Sequence, residues 1–344
     1  MDGLTVLLSV YNGLPFLGEV IESLKRQRHA EYTAYLVDNA SDDGSEALLA
    51  GIADARFHLV RQEQNLGMAQ NFNRAIDLVE TPYFVLAHQD DVYEPEFLGA
   101  MLDLMTRHPR AFIAHSKVEP IDEAGAPFFV AAERYKERFW PRADPYERRP
   151  DDELRVLGSG NYIVMPTVIY RTAAFRRIGR FAPEYRFVAD WQYWIRGLLA
   201  DFTIVGTHRR LVRRRWHRSM GTRGAEANFS RYGEEVAIAE WIARASYVRG
   251  VRSSPIADYS TVMNLVLDDF ARRLASGERV EALRLLDLAR DRIPGFRGSA
   301  RDVAARAAAR LGRFGGSCLA LAGAAYVRAV ASCARMSSRT ASSR

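Results

Sequence analysis

The chain has 344 residues, 48% of them hydrophobic and 26% charged, and only 2 Cys, which describes a globular protein of about two domains. Cys318 and Cys333 supply neither a disulfide framework nor the four ligands of a zinc site, so a reducing compartment is expected. The formal charge is +6, but residues 297–344 hold nine Arg and one Asp, so the basicity belongs to the tail and the preceding residues carry −2.

Residues 4–10 (LTVLLSV) form a short apolar run rich in β-branched residues and bounded by Asn12-Gly13-Leu14-Pro15, which predicts a buried parallel strand. From Pro15 to about Arg28 the apolar residues Phe16, Leu17, Val20, Ile21 and Leu24 recur at helical spacing, with Pro15 suited to the first turn. The cycle repeats: strand 32–37, polar turn 38–45, helix 45–53, strand 57–61, helix 67–79 and strand 82–87. Each parallel connection must cross a sheet face, so the pattern predicts an α/β/α three-layer sandwich with a mainly parallel sheet.

Residues 119–157, with Pro120, Pro127, Pro141, Pro145 and Pro150, read as a long loop or lid. Order returns at 158–179, then a helix is expected over about 190–200 and strands near 202–206 and 210–216. Beyond Gly221 amphipathic helices are expected over 226–248, 258–275 and 278–291. The expected organisation is a sheet domain over 1–222, a helical region over 223–296 and a basic Ala/Arg-rich tail over 297–344. Met1-Asp2-Gly3-Leu4 precedes the first strand without Lys, Arg or a cleavage site, and no apolar stretch reaches membrane-spanning length, so a cytoplasmic protein is expected.

Ligands of such sheets bind at the carboxyl ends of the strands, where the polar clusters of this sequence fall. Strand one ends at Ser9-Val10-Tyr11-Asn12-Gly13, strand two at Asp38 with Ser41-Asp42-Asp43-Gly44-Ser45, and strand four at His88-Gln89-Asp90-Asp91. Adjacent Asp90 and Asp91 suit a divalent cation with oxygen ligands; they also suit the opening of the helix near Glu94. The 38–45 segment can accept hydrogen bonds from a base or ribose, or form turn and helix-capping structure alone. Asp190 is a helix N-cap by position, yet it precedes Trp191, Tyr193 and Trp194, whose rings suit either a sugar face or a core. His217, after Arg213-Arg214-Arg215-Trp216, is a metal or phosphate ligand or part of a solvated basic turn.

Taken together, LTVLLSVYNGLPFL, VDNASDDGS, NLGMAQNFNRAI, HQDDVYEP, GNYIVMPTVIYRTAAF and VADWQYWIRG occur in an order that resembles the family 2 glycosyltransferases of the GT-A fold. The bacterial branch that adds rhamnose or similar sugars to surface polysaccharides is the nearest, and the resemblance covers roughly residues 3–220. It implies an inverting transfer from a nucleotide diphosphate sugar to a saccharide or lipid-linked acceptor, assisted by Mg²⁺ or Mn²⁺. It further implies nucleotide contacts from Ser9, Tyr11, Asn12, Asp38, Asp43, Asn65, Gly67, Asn71 and Asp90, with Tyr11 packing on the base and Asp38 bonding it. Asp91 and His217 are expected at the metal, His88, Trp191 and Trp194 at the sugars, and Asp190 as general base. One departure stands out: the branch often reads Asp-Gln-Asp-Asp, and here His88 takes the first place.

A sugar-phosphate nucleotidyltransferase would carry a Gly-rich loop with a basic residue after strand one, and Ser9–Gly13 has one Gly and no base. The tail arginines also admit a nucleic-acid-binding reading, but no groove-reading motif accompanies them and no nucleic acid is expected as partner. Arg306, Arg310 and Arg313 beside Leu319-Ala320-Leu321-Ala322 and Tyr326 instead suit peripheral contact with an anionic membrane, or else a disordered or helix-packed appendage.

Overall fold

The computed structural model describes residues 3–158, 160–217, 230–250, 260–293 and isolated positions between 297 and 309. Contacts divide the chain into two compact units, one carrying the sheet and the other the C-terminal helices.

In the first unit β1 (Leu4–Val10), β2 (Tyr32–Asp38), β3 (Phe57–Arg61) and β4 (Tyr83–His88) lie parallel in the order β3-β2-β1-β4. Helices α1 (Leu14–Lys25), α2 (Ser45–Ala50) and α3 (Met68–Ile76) make the crossovers. Every residue of β1 except Ser9 is buried, as the continuous apolar run requires. On α1 the buried side includes Leu17, Val20, Ile21 and Leu24, the residues at helical spacing, and Pro occupies the first turn.

Past β4 the sheet is mixed. It is completed by β5 (Val92–Tyr93), β6 (Ala111–Ile121), β7 (Tyr146–Arg148), β8 (Ile169–Arg171) and β9 (Thr203–Arg215), in the path β4-β8-β6-β9-β5 with β7 also on β9. Strand β8 is antiparallel to β4 and β6, while β9 is parallel to β6 and antiparallel to β5 and β7. Helices α4 (Phe97–Arg107), α5 (Ala131–Lys136), α6 (Pro150–Gly158), α7 (Thr172–Ile178) and α8 (Ala189–Leu199) accompany these strands.

Two expectations change here. The strands expected at 202–206 and 210–216 are one strand, because register shifts around Lys117 of β6 absorb the polar interruption at His208-Arg209. The segment 119–157 is not one loop: it holds the end of β6, α5, a 3₁₀ turn at Glu137–Phe139, β7 and most of α6. Its prolines punctuate short elements; Pro150, for instance, opens α6.

The core has an aliphatic part, where Val6, Leu8 and Val85 meet Leu17, Val20, Phe97 and Met101, and an aromatic part built from Phe84, Tyr170, Phe175, Phe181, Tyr193 and Trp194. Gly197 lets α8 rest against Phe112, since a Cβ there would lie 2.3 Å from the ring.

The second unit contains α9 (Ser230–Val248), α10 (Ser260–Ser276) and α11 (Arg279–Arg292) around Tyr232, Val236, Phe270, Leu274, Leu285 and Leu286. The Tyr232 hydroxyl donates to Asp269 at 2.9 Å. No helix among the described residues is long and apolar enough to cross a membrane. Cys318, Cys333, Arg310, Arg313, the 319–322 segment and Tyr326 lie outside the described residues.

Candidate active site

Register brings the strand ends to one edge: Val10 pairs with Asp38 and Ser9 with His88. The loops that follow are joined by side chains. Gln89 accepts from the Tyr11 N–H (2.7 Å) and donates to the Tyr11 carbonyl (3.0 Å), leaving the Tyr11 ring 44% exposed. A Cβ on Gly13 would meet that Gln89 amide at 2.8 Å. Asn12, in the left-handed region at φ 51, donates its N–H to Ser41 Oγ and pairs its amide with Asp42. The Gly13 N–H donates to Ser45 Oγ and the Leu14 N–H to Asp43 Oδ2.

Asp43 therefore holds the starts of α1 and α2, and its other oxygen accepts from the Ser45 N–H. Burial opposes its charge, but the bonds from Ser45 and Leu14 prevail and keep its carboxyl below the ordinary range. Asn65 accepts from Asn39 (2.9 Å) and from the Gly67 N–H (2.8 Å), and so shapes the entry to α3. Asn71 donates to Ser9 Oγ at 2.5 Å. The structure thus occupies Asp43 and Asn65 with backbone N–H groups and gives both a loop-building part.

Asp38 is fully buried. Its Oδ1 accepts from the Ser41 N–H (3.1 Å), whereas Oδ2 has no hydrogen-bond donor and only the Arg61 guanidinium at 3.7 Å. A buried oxygen left without a donor costs about 1–3 kcal/mol, so Asp38 Oδ2 is left open to a donor from outside the chain.

The second group closes around the end of β4. The ligand atoms of His88, Asp90 and Asp91 all lie within 4.8 Å of one another. Burial drives the His88 pKa down to about 4, so its imidazole is neutral; the ring stacks on Phe72, and Nε2 is buried without a partner. Burial, reinforced by Asp90, raises the Asp91 carboxyl well above the ordinary range, although Asp91 accepts the Arg215 N–H at 2.9 Å. His217, packed at a tilt against Phe16, shares a 2.9 Å hydrogen bond with Asp90. The expected metal pair of Asp91 and His217 is thus rearranged. His88, Asp90 and Asp91 converge, while His217 orients Asp90.

Two carboxylates in conflict beside a neutral imidazole with a free nitrogen are a donor set that fits a divalent cation. The nitrogen favours Mn²⁺ over the oxygen-seeking Mg²⁺. The basic run that follows is not a solvated turn. Arg215 is 1% exposed, donates to the carbonyls of Asp90, Asp122 and Glu123, and pairs with Glu19.

Asp190 opens α8. Its Oδ1 accepts from the Trp191 N–H (2.6 Å) and its Oδ2 from Asn161 Nδ2 (3.2 Å). Burial raises its pKa to about 6 although it keeps partial solvent access; the Trp191 and Asn161 bonds and the charges of Lys136 and Arg214 act the other way. Arg214 also lowers the carboxyls of Asp90 and Asp91, so this one guanidinium faces both acidic groups. Glu133 pairs with Lys136 and with Arg214.

The expected sugar contacts Trp191 and Trp194 are corrected to core residues. Trp194 is fully buried against Tyr170 and Tyr193, and Trp191 is 6% exposed with its indole N–H on the Leu157 carbonyl at 2.9 Å. Both rings face inward, as most of α8 does: only Asp190, Gln192, Arg196 and Leu199 are partly exposed. Asn161, Lys136 and Arg214 were not singled out by sequence. Asn161 sits in the GNYIVMP stretch and Arg214 in the basic run, both visible signals; Lys136 had none.

A mixed α/β sheet with carboxylates gathered at its parallel strand ends is the architecture of GT-A glycosyltransferases, and the comparisons agree. The profile of glycosyl transferase family 2 matches residues 5–156 of the chain. An uncharacterized protein of Sinorhizobium fredii is 27% identical over 197 residues, covering 56% of this chain and 20% of the relative. The teichoic acid poly(glycerol phosphate) polymerase of Staphylococcus epidermidis is 31% identical over 94 residues, covering 26% of this chain and 13% of the polymerase. The chain thus spans a fifth or less of the length of these two relatives. In three dimensions it is similar to S. aureus TarS 1–349 in complex with UDP-GlcNAc, with a TM-score of 0.56, 16% identity, and coverage of 89% of this chain and 90% of that one.

Proposed function

We propose that the chain transfers a sugar from a nucleotide diphosphate sugar to a saccharide or lipid-linked acceptor in bacterial cell-surface polysaccharide synthesis, with inversion at the anomeric carbon. The observation that carries this reading is Asp190: a carboxylate titrating near neutrality, sharing Arg214 with the His88, Asp90 and Asp91 cluster. A base works best with a pKa close to the working pH, and about 6 suits Asp190 better than its ordinary 3.8. Its carboxylate takes the acceptor hydroxyl proton as that oxygen attacks the anomeric carbon. The bond to the diphosphate breaks, and the diphosphate leaves with the electron pair.

Asp38 Oδ2 accepts a base N–H, and the exposed Tyr11 ring covers the base face. Asn161 holds the Asp190 carboxylate in one orientation, and Arg214 faces the developing diphosphate charge. His88, Asp90 and Asp91 would hold a divalent cation, which would supply Lewis-acid stabilisation of that charge. Because TarS was crystallised with UDP-GlcNAc, UDP-sugars are the first donors to test. The basic tail gives peripheral membrane contact in this reading, and flotation with anionic liposomes of the full chain against one ending near Pro294 checks it.

The test of the whole is thermal-shift screening of nucleotide sugars with Mn²⁺ or Mg²⁺, followed by transfer assays. One donor is expected to raise Tm by mass action, more with the cation than without. If no nucleotide or nucleotide sugar raises Tm under either ion, the proposal is lost.

A further inference from the structure

A cavity of about 320 Å³ opens in the sheet-bearing unit, and no role assigned above uses it. Its size suits a saccharide unit. The segment expected as a lid forms much of its wall, from Phe128 through Trp140, and Lys117 and Arg210 close it from β6 and β9.

Its charges do not balance. The lining cations are Lys117, Arg134, Lys136 and Arg210, against the carboxylates of Glu133 and Glu137. Each carboxylate is already shared between two cations: Glu133 between Lys136 and Arg214, and Glu137 between Arg134 (2.8 Å) and Arg210 (3.2 Å). Lys117 has no carboxylate partner among the described residues, and its ammonium lies 5.1 Å from the centre of the Trp140 ring. A cation held over an aromatic ring at the wall of a cavity is desolvated on one side and lacks a counter-charge. Trp140 itself offers a ring to the cavity, with Phe128 (47% exposed) beside it.

The cavity also adjoins the candidate base. Lys136 lines it and acts on Asp190, and the lining residue Tyr162 follows Asn161, which bonds Asp190.

We propose that this cavity receives the acceptor, and that the acceptor is an anionic saccharide whose phosphate or carboxylate is answered by Lys117 and Arg210 while its ring lies against Trp140. The inference rests on the sugar-transfer reading for the word acceptor, and on the charge imbalance for the word anionic.

The experiment is calorimetric titration of the full chain with glucose, glucuronate, glucose 6-phosphate and inorganic phosphate, repeated for Lys117→Gln and Arg210→Gln. The anionic sugars are expected to bind at least tenfold more tightly than glucose, and glucose 6-phosphate more tightly than phosphate alone. Each substitution weakens the anionic sugars about tenfold and leaves Tm within a degree or two. Preference between glucuronate and glucose 6-phosphate tells which oxyanion the cavity takes. Equal binding of glucose and the anions, no anion binding, or no effect of either substitution overturns the proposal. So does displacement of the anionic sugar by UDP, which would make the cavity part of the donor site. UDP-sugar thermal shifts on the same samples separate the two readings. Anion preference without any donor effect keeps the anion site and removes the transfer reading, while donor binding without anion preference does the reverse.

Discussion

Around β1 and β2 polar side chains answer the backbone: Asn39, Ser41, Asp43, Ser45 and Asn65 each accept from a loop N–H. Around β6 to β9 they answer one another, as Glu133 does with Lys136 and Arg214, and Glu153 with Arg148 and Tyr162. The first region fixes loop shape, largely with neutral groups, by bonds that mostly join loops 27 to 32 positions apart and brought together by the parallel register. The second buries charge and leaves titratable groups away from their ordinary values: His115, for example, is pushed down to about 3 by burial. A scaffold suited to a rigid flat ligand needs the first kind of region, and proton transfer needs the second.

The largest effect that tests this division is at Asp190. Asp190→Asn is expected to lower turnover about 10²- to 10⁴-fold while leaving donor binding within about twofold, read by initial rates and calorimetry. It should also stabilise the protein. Asp190 is held above its ordinary pKa, so its contribution favours folding below pH 3.8 and is lost as pH rises through about 6. The variant is therefore more stable than the parent above pH 6, by up to about 3 kcal/mol, and equal to it below 3.8. A variant less stable at pH 7 contradicts the buried-charge account.

Next comes Trp194→Ala, expected to cost about 3–5 kcal/mol in urea unfolding because the ring is fully buried. Tyr11→Ala, in the other region, is expected to cost under about 1 kcal/mol and to weaken the donor instead. If Trp194→Ala binds acceptor poorly at unchanged stability, the core assignment fails.

Asp91→Asn keeps an oxygen for the Arg215 N–H but removes the charge, and is expected to reduce the cation-dependent gain in donor affinity about 10- to 100-fold. Affinity unaffected by both chelator and substitution would remove the cation. The smallest effect is Asn161→Ala. Its amide favours the charged form of Asp190, so its loss moves the acid limb of kcat, expected near pH 6, to higher pH and lowers the rate at pH 7 about twofold.

Legibility in the sequence follows the same division. The first four strands and the helices between them carry uninterrupted periodicity, and the bonds between their loops, such as Asn12 to Ser41, follow once the parallel register aligns the strand ends. Asp38 and the His88 to Asp91 turn were therefore placed correctly at strand ends. The pair Asp190 and Asn161 is held across 29 positions, and Lys136 reaches it from a short helix hidden among prolines. No strand register aligns these three residues, so the periodicity that places the strand ends does not place them. The two tryptophans misled for a related reason: an aromatic after an acid reads the same whether its ring turns outward or, as at Trp194, fills the interior.

The Gln89 amide sets its oxygen against the N–H and its NH₂ against the carbonyl of a single residue, Tyr11, a planar two-point pairing. Through it the Tyr11 segment and the segment that gathers the carboxylates behave as one mechanical piece. Ordering either one reduces the entropy left to lose at the other, so nucleotide and cation should each tighten the grip on the other even without direct contact between them.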